Sequence, residues 1–575
     1  MGEDNDSDVD IDEQSYRNAV IVTQLGEDND SEVEVDDDSN ANIVSVFQMG
    51  EDNDSEVDID QYSSRNEVGL TQMGEDNDSE IEIDYDSNAN VVAWIQVGED
   101  NELDMEDDDG ISRDSSHNTV IGAQVGEDNE AEVEIEDDSD RNTVVILQMG
   151  EDNEIDDVEI DNDSDYNVVA VAQLGMDNDA EVDIDDESDK NAVFSLQVGE
   201  DNDVDVDIDD SSDRNTVSID QGGEDNDSDV DIDDDSNDNT VSNKQRGEDH
   251  ESDIDIDEES DLNVVKVVQR GSGNESEVDL DWGSDSNDVV VRQRSEDNWS
   301  GVFAVSADDN KVRVRQFGSE NISAVILAPG ADSNTVRVLQ TGDNNAAVSW
   351  NGMDSDDNSV SISQAGVYSL AISANIFGAS NNTATITQGS GTVGNLALAV
   401  SAGNGNVASI DQDAFIQGIL NAGVTLQLGN HNYAGVTQRG SVNLGAVIQL
   451  GNRNWAGLGQ LGAFNFNLAV QEGNRNDALV GQAGIGNFAY TLQTGNKNSA
   501  LVGQLGEGND ARTLMLGNRD AAATLQLGED NFSRIRFEYS SENTVNVLQM
   551  GTGNTSNVSI SGGSFNSVNV LQAGM

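Results

Sequence analysis

Asn29-Asp30-Ser31-Glu32-Val33-Glu34-Val35-Asp36 is followed, after Asp37-Asp38-Ser39-Asn40, by Asn42-Ile43-Val44-Ser45-Val46-Phe47-Gln48. Both runs alternate, and a period of two is the pattern of a half-buried strand. Asn29, Ser31, Val33 and Val35 share one face of the first run, and Asn42, Val44, Val46 and Gln48 share one face of the second. The Asp/Ser/Asn cluster between them carries turn chemistry. Two strands and two arcs therefore make one rung.

The rung recurs along the chain. Gln24, Gln48, Gln72, Gln96, Gln124, Gln148, Gln173, Gln197, Gln221, Gln245, Gln269 and Gln293 stand mostly 24 residues apart, whereas Gln427, Gln438, Gln449, Gln460, Gln471, Gln482, Gln493 and Gln504 stand 11 apart. A half-step that nearly divides the full step says that each repeat holds two similar strand-and-turn units, and a fixed period in this range marks a stacked architecture. The pattern Asn-x-Val-x-Val-x-Gln returns at Asn142/Val144/Ile146/Gln148, Asn167/Val169/Val171/Gln173, Asn263/Val265/Val267/Gln269 and Asn334/Val336/Val338/Gln340. Rungs stacked about 4.8 Å apart place each Asn and Gln over its counterpart. Side-chain amides carry both donors and acceptors, so a column of them satisfies itself inside an apolar core. The expected fold is all-β: a single-chain β-solenoid of two-stranded rungs with inward Asn/Gln ladders and amyloid-like cross-β stacking.

One continuous solenoid is expected over 1–575, with acidic 24-residue repeats over 1–294, transitional repeats over 295–426, 11-residue half-repeats over 427–527 and 23-residue repeats over 528–575. The single proline is Pro329, and cysteine is absent, which excludes a disulfide framework and a thiolate metal site. No apolar run approaches the roughly 18 residues that span a bilayer, and no basic-then-apolar signal pattern opens the chain. Met1-Gly2-Glu3-Asp4-Asn5 repeats Met49-Gly50-Glu51-Asp52-Asn53, and the chain stops just past Gln572. Both ends are therefore expected to be cut within a longer protein.

Asn498-Ser499-Ala500-Leu501-Val502-Gly503-Gln504-Leu505-Gly506-Glu507-Gly508-Asn509-Asp510-Ala511 resembles the curlin repeat, Asn-x-Ala-x-x-x-Gln-x-Gly-x-x-Asn-x-Ala. Gly451-Asn452-Arg453-Asn454-Trp455-Ala456 and Gly473-Asn474-Arg475-Asn476-Asp477-Ala478 repeat it. The resemblance is closest over 427–527; the N-terminal half keeps the Asn, Gln and Gly positions, with valine for alanine and longer acidic arcs. It implies a secreted or cell-surface β-solenoid that stacks end to end, with itself as partner, into extracellular amyloid fibres of a biofilm matrix.

Asp and Glu number 118 against 24 Lys plus Arg, a formal charge of −94 that weighs against nucleic acid as a partner. The residues 14 before Gln48, Gln72, Gln96 and the glutamines from Gln148 to Gln293 are Glu34, Asp58, Glu82, Glu134, Glu159, Asp183, Asp207, Asp231, Asp255 and Asp279, all acidic and expected to face outward. Neighbours two residues away extend them into rows: Glu32/Glu34/Asp36, Asp58/Asp60, Glu82/Asp84, Asp205/Asp207/Asp209, Asp229/Asp231/Asp233 and Asp255/Asp257. Unit charges about 4.8 Å apart repel by about 0.9 kcal/mol even in bulk water. Hard divalent cations prefer oxygen ligands, so this array is expected to hold Ca²⁺. It contains no EF-hand loop and no calcium β-roll nonapeptide, and a solvated, salt-adapted face is the competing expectation.

Surface chemistry then changes. The first strands turn apolar at Trp299, Gly301 and Phe303, and the other sheet turns basic at Lys244, Lys266, Arg292, Lys311/Arg313/Arg315 and Arg337. That basic column either meets a neighbour's acidic face or is balanced locally. Further on, Leu444/Ile448, Phe466/Leu468/Val470 and Phe488/Tyr490/Leu492 make one side greasy, while Trp455/Gly457/Gly459, Leu479/Gly481 and Leu501/Gly503 make the other small. The greasy side is the expected subunit contact. His117, His250 and His431 are unclustered, too few for a catalytic or zinc constellation. Identical carboxylate pairs in every rung are surface texture, not one tuned acid and base. Neither enzymatic activity nor an organic cofactor is expected. Two classes of function remain: a fibre-forming structural protein, and a cell-surface adhesin or ice- or mineral-binding solenoid.

Overall fold

The computed structural model describes residues 5–574 except 13, 106–110, 112, 136, 152, 156, 201, 377 and 414–417. The chain forms two compact units, Met1–Val290 and Val291–Met575. Both are β-solenoids of parallel strands, with no helix among the described residues, and together they make about 23 turns. Consequently no helix there is long and apolar enough to cross a membrane.

In the first unit one side of every turn is a regular strand. Ile43–Glu51 lies parallel to Glu67–Glu75 with Val44 opposite Val68 and Gln48 opposite Gln72, one full repeat on. The four extra residues between Gln96 and Gln124 leave this register intact, with Val91–Glu99 pairing Thr119–Glu127 from Val91↔Thr119 to Glu99↔Glu127. Outward side chains on this sheet include exposed Ile43, Ile95, Val145, Phe194 and Leu196.

The acidic side departs from a regular strand over much of its length, although its last row is part of the strand Val264–Asp281. Asp205, Asp207 and Asp209 have φ of 52°, 50° and 39°, and Asp229, Asp231 and Asp233 have 50°, 52° and 34°. Aspartate is one of the few L-residues that enters the left-handed region, because its short side chain bonds locally. The Val206 and Ile208 N–H groups each donate at 2.8 Å to the Oδ1 of the preceding Asp205 and Asp207. Those amides are withdrawn from the ladder between turns. Scattered bonds remain, such as Asp229 N–H to the Val204 carbonyl at 2.9 Å, and a short regular pairing joins Asp8–Val9 to Glu32–Val33. Facing still alternates as expected: Val204, Val206 and Ile208 are buried and the aspartates point out.

The second unit carries two strands per turn, each pairing with the next strand but one. Trp455–Ala463 pairs Asp477–Ile485, while Phe466–Asn474 pairs Phe488–Asn496. Aromatic side chains stack along the axis, Tyr433 on Trp455 at 5.8 Å and Phe466 on Phe488 at 5.0 Å between ring centroids. The Phe466–Phe488 stack lies on the greasy side and is half-buried, whereas Tyr433 and Trp455 stack on the glycine side. The glycine side is the more open one, with Leu479, Leu501 and Leu505 exposed around Gly481 and Gly503.

The inward ladders are present in both units. Asn29 donates to Asn53 at 2.8 Å and Asn53 to Asn77 at 2.7 Å; Gln221 donates to Gln245 and Gln245 to Gln269, both at 3.0 Å. In the second unit Gln438, Gln460 and Gln482 form an unbroken run at 2.9 and 3.1 Å. Each link adds roughly 1 kcal/mol net, but an interrupted link leaves a buried amide unsatisfied at about 1–3 kcal/mol. The ladders of the first unit have such breaks: Gln197 Oε1 and Gln221 Oε1 have no partner, and a buried His250 stands in an asparagine position and interrupts the amide column.

A glycine column follows each glutamine by two residues. Gly462 has φ of 116°, and a Cβ there would sit 2.0 Å from the Gly484 carbonyl oxygen, whereas at Gly481 a Cβ would meet nothing within 4 Å. Gly462→Ala is therefore expected to lower stability by at least about 2 kcal/mol, and Gly481→Ala to leave it unchanged or slightly raised. Thermal melts of the two variants beside the parent test this; equal effects would contradict the packing.

Candidate functional site

All 18 candidate metal ligands lie on the acidic side of the first unit, outside the column of buried valine and isoleucine. Glu32, Glu34, Asp205 and Asp229 are exposed; Asp36, Asp58, Asp60, Glu82, Glu134, Asp183, Asp207, Asp209, Asp231, Asp233, Asp255, Asp257 and Asp279 are half-buried. Asp84 is 6% exposed and lies 3.8 Å from the Arg113 guanidinium.

Half-burial among like charges pushes these carboxyls up. Asp183 is raised to about 8 by loss of solvent and then by Glu159 and Asp207. Asp255 is raised to about 7 by burial and then by Asp231 and Asp279, and Asp207 and Asp231 to about 6, again chiefly by burial. Asp60 is raised to about 7 by burial and by hydrogen bonding with the Asp84 and Asp36 carboxyls. Carboxyls close enough to share a hydrogen bond are close enough to share a cation.

Convergence of ligand atoms is tighter at the strand-to-arc junction than along the middle column. Asp161, Asp185 and Asp186 bring one oxygen each within 4.8 Å of one another, as do Asp185, Asp209 and Asp210, then Asp209, Asp233 and Asp234. A fourth triad is Asp12, Glu34 and Asp36. Oxygens bound to one Ca²⁺ at about 2.4 Å can be at most about 4.8 Å apart, so these triads meet the outer distance limit for sharing an ion. Of the sequence candidates, Glu34, Asp36, Asp209 and Asp233 belong to triads; Asp183, Asp207, Asp231 and Asp255 do not. Asp161, Asp185, Asp186, Asp210 and Asp234 were not among the candidates. Their signal is the pair of consecutive acids 12 and 11 residues before the glutamine, Asp185-Asp186, Asp209-Asp210 and Asp233-Asp234.

Several basic residues of the first unit find a carboxylate nearby. Lys244 and Arg246 both pair with Asp220, and Arg214 reaches Asp238 at 2.8 Å and Asp213 at 3.1 Å.

In the second unit the buried amides Asn432, Asn443 and Asn454, with Gln438, Gln449 and Gln460, occupy the positions that the curlin pattern requires. Residues 429–462 match the curlin associated repeat. No curated protein matches the chain. The curlin match falls within the two-stranded solenoid, where alanines such as Ala434 and Ala456 are fully buried between the amides. Curlin repeat and solenoid together point to a curli-like structural protein.

The raised carboxyls give a signed pH dependence. An unfolded aspartate titrates near about 3.9, so between that pH and the folded values the folded state holds more protons, and stability falls as pH rises. The melting temperature is expected to be higher at about pH 5 than at about pH 8. Asp183→Asn/Asp231→Asn/Asp255→Asn should raise it at the higher pH and shrink the difference, since asparagine keeps the local acceptor and removes the charge. A melting temperature that climbs from the lower to the higher pH would contradict this.

Proposed function

We propose that the chain is the structural subunit of an extracellular curli-like fibre, in which copies stack head to tail by β-augmentation and the acidic side binds Ca²⁺. The observation that carries the reading is the in-register parallel stacking of like rungs, with Gln438, Gln460 and Gln482 hydrogen-bonded in line inside the curlin-matching region and beyond it. A rung that pairs with its own repeat offers a second copy the same backbone edge and the same amides, so addition propagates without closing. Such a protein works as a material, not as a catalyst, and is secreted to the cell surface or matrix. Purified full-length chain is expected to form filaments without a partner, visible by electron microscopy. A chain that stays monomeric by light scattering at high concentration and near-physiological salt contradicts the reading.

The calcium part is tested separately. Binding only the folded array stabilises it by mass action, so millimolar Ca²⁺ is expected to raise the melting temperature well above the effect of NaCl at equal ionic strength. Asp185 and Asp209 each belong to two triads, so that Asp185→Asn/Asp209→Asn touches three of the four and should remove most of that increment. Equal effects of the two salts, or an increment untouched by the double substitution, would return this side to a solvated, salt-adapted face.

A further inference from the structure

One corner after glutamine recurs in both units with a left-handed residue at the same place and opposite charges. In the first unit it reads Gly-Glu-Asp, with Asp52, Asp76 and Asp100 at φ of 55°, 54° and 52°. In the second it reads Gly-Asn-Arg or Gly-Asn-Lys, with Arg453, Arg475 and Lys497 at φ of 58°, 58° and 61°. Both sets are exposed. The basic corner is locked in register: the Arg475 N–H donates to the Asn452 carbonyl and the Lys497 N–H to the Asn474 carbonyl, both at 3.0 Å. Beside it runs an exposed amide ladder, Asn452 to Asn474 and Asn474 to Asn496, each at 3.1 Å.

Among the described residues no carboxylate pairs with Arg453, Arg475 or Lys497, whereas the next cation in the column, Arg519, is held by Glu542 at 2.7 Å. Three unneutralised cations, one per turn, repel along the axis. The acidic corner suffers the same crowding with opposite sign, and Asp52 has its carboxyl raised by loss of solvent and then by Asp76 and Asp28.

We propose that Arg453, Arg475 and Lys497 dock side by side against Asp52, Asp76 and Asp100 of a second copy of this chain. Charge complementarity and period select this occupant. Backbone hydrogen bonding sets both columns to the same rise of about 4.8 Å per turn, so every cation meets a carboxylate without distortion. An anionic partner of another spacing would satisfy the cations only in part. The contact is lateral, distinct from head-to-tail stacking, and does not depend on it.

Binding of soluble full-length chain to immobilised full-length chain, at about 50 and about 500 mM NaCl, tests this. Lateral docking is the salt-sensitive component and should weaken about ten-fold or more across that range; stacking brings like-charged rungs together, so added salt should leave it unchanged or strengthen it, and either can fail alone. Arg453→Glu/Arg475→Glu/Lys497→Glu should lose the salt-sensitive component on the parent chain and regain it on immobilised Asp52→Lys/Asp76→Lys/Asp100→Lys. The neutral set Arg453→Gln/Arg475→Gln/Lys497→Gln should weaken it without reversal, covering the case in which the reversed chain misfolds. Unaltered binding by both basic-corner variants overturns the proposal. So does loss without recovery on the swapped surface, which would assign the column to a different anionic partner.

Discussion

A parallel, in-register solenoid places each side chain on its own kind. That constraint decides which groups can occupy which position. Amides gain by being superimposed, because the NH₂ of one meets the carbonyl of the next, as from Gln438 to Gln460. Apolar and aromatic groups gain, as Phe466 does on Phe488. Glycine gains where backbones approach closely, as at Gly462 under the Gly484 carbonyl. Charge alone loses by stacking, and it is kept outside, where solvent and counterions reach it.

The two units resolve that loss differently. The first stacks carboxylates over many turns, and over 203–209 and 227–233 its aspartates turn into the left-handed region, with the amides of Val206 and Ile208 drawn onto the oxygen of the preceding aspartate. This lowers the number of bonds between turns on the acidic side and leaves the regular sheet opposite to hold the register. The second unit keeps both sides as strands, has small alanines between its amides, and stacks few carboxylates. Stability should accordingly be spread unevenly, with the acidic side opening first.

The alternation of Asn, Val and Gln made the solenoid, its inward ladders and the outward acids legible in the sequence, since each depends only on period and side-chain chemistry. The conformation of the acidic side was not legible, because Asp205-Val206-Asp207-Ile208 alternates equally well as a strand or as a chain of local aspartate turns. A third inward ladder was also missed. Ser188, Ser212 and Ser236 are buried, with the Ser212 N–H donating to Ser188 Oγ at 2.8 Å and the Ser236 N–H to Ser212 Oγ at 2.9 Å. They read as ordinary turn residues until the arc is seen to curl them inward. The closest convergence of carboxylates was only partly legible for a similar reason: the middle column is the most regular in sequence, but the arc brings Asp209-Asp210 and Asp233-Asp234 together with their neighbours, and of these only Asp209 and Asp233 stood among the candidates.

Superposition of like on like is most directly tested by solid-state NMR of glutamine-labelled protein. Side-chain amide nitrogens should contact the side-chain carbonyl of the glutamine one turn away, 22 residues on for Gln438 with Gln460 and Gln460 with Gln482. These amide protons should exchange slowly with solvent. Glutamine side chains that exchange freely and show no contact between successive turns would contradict the account at its base.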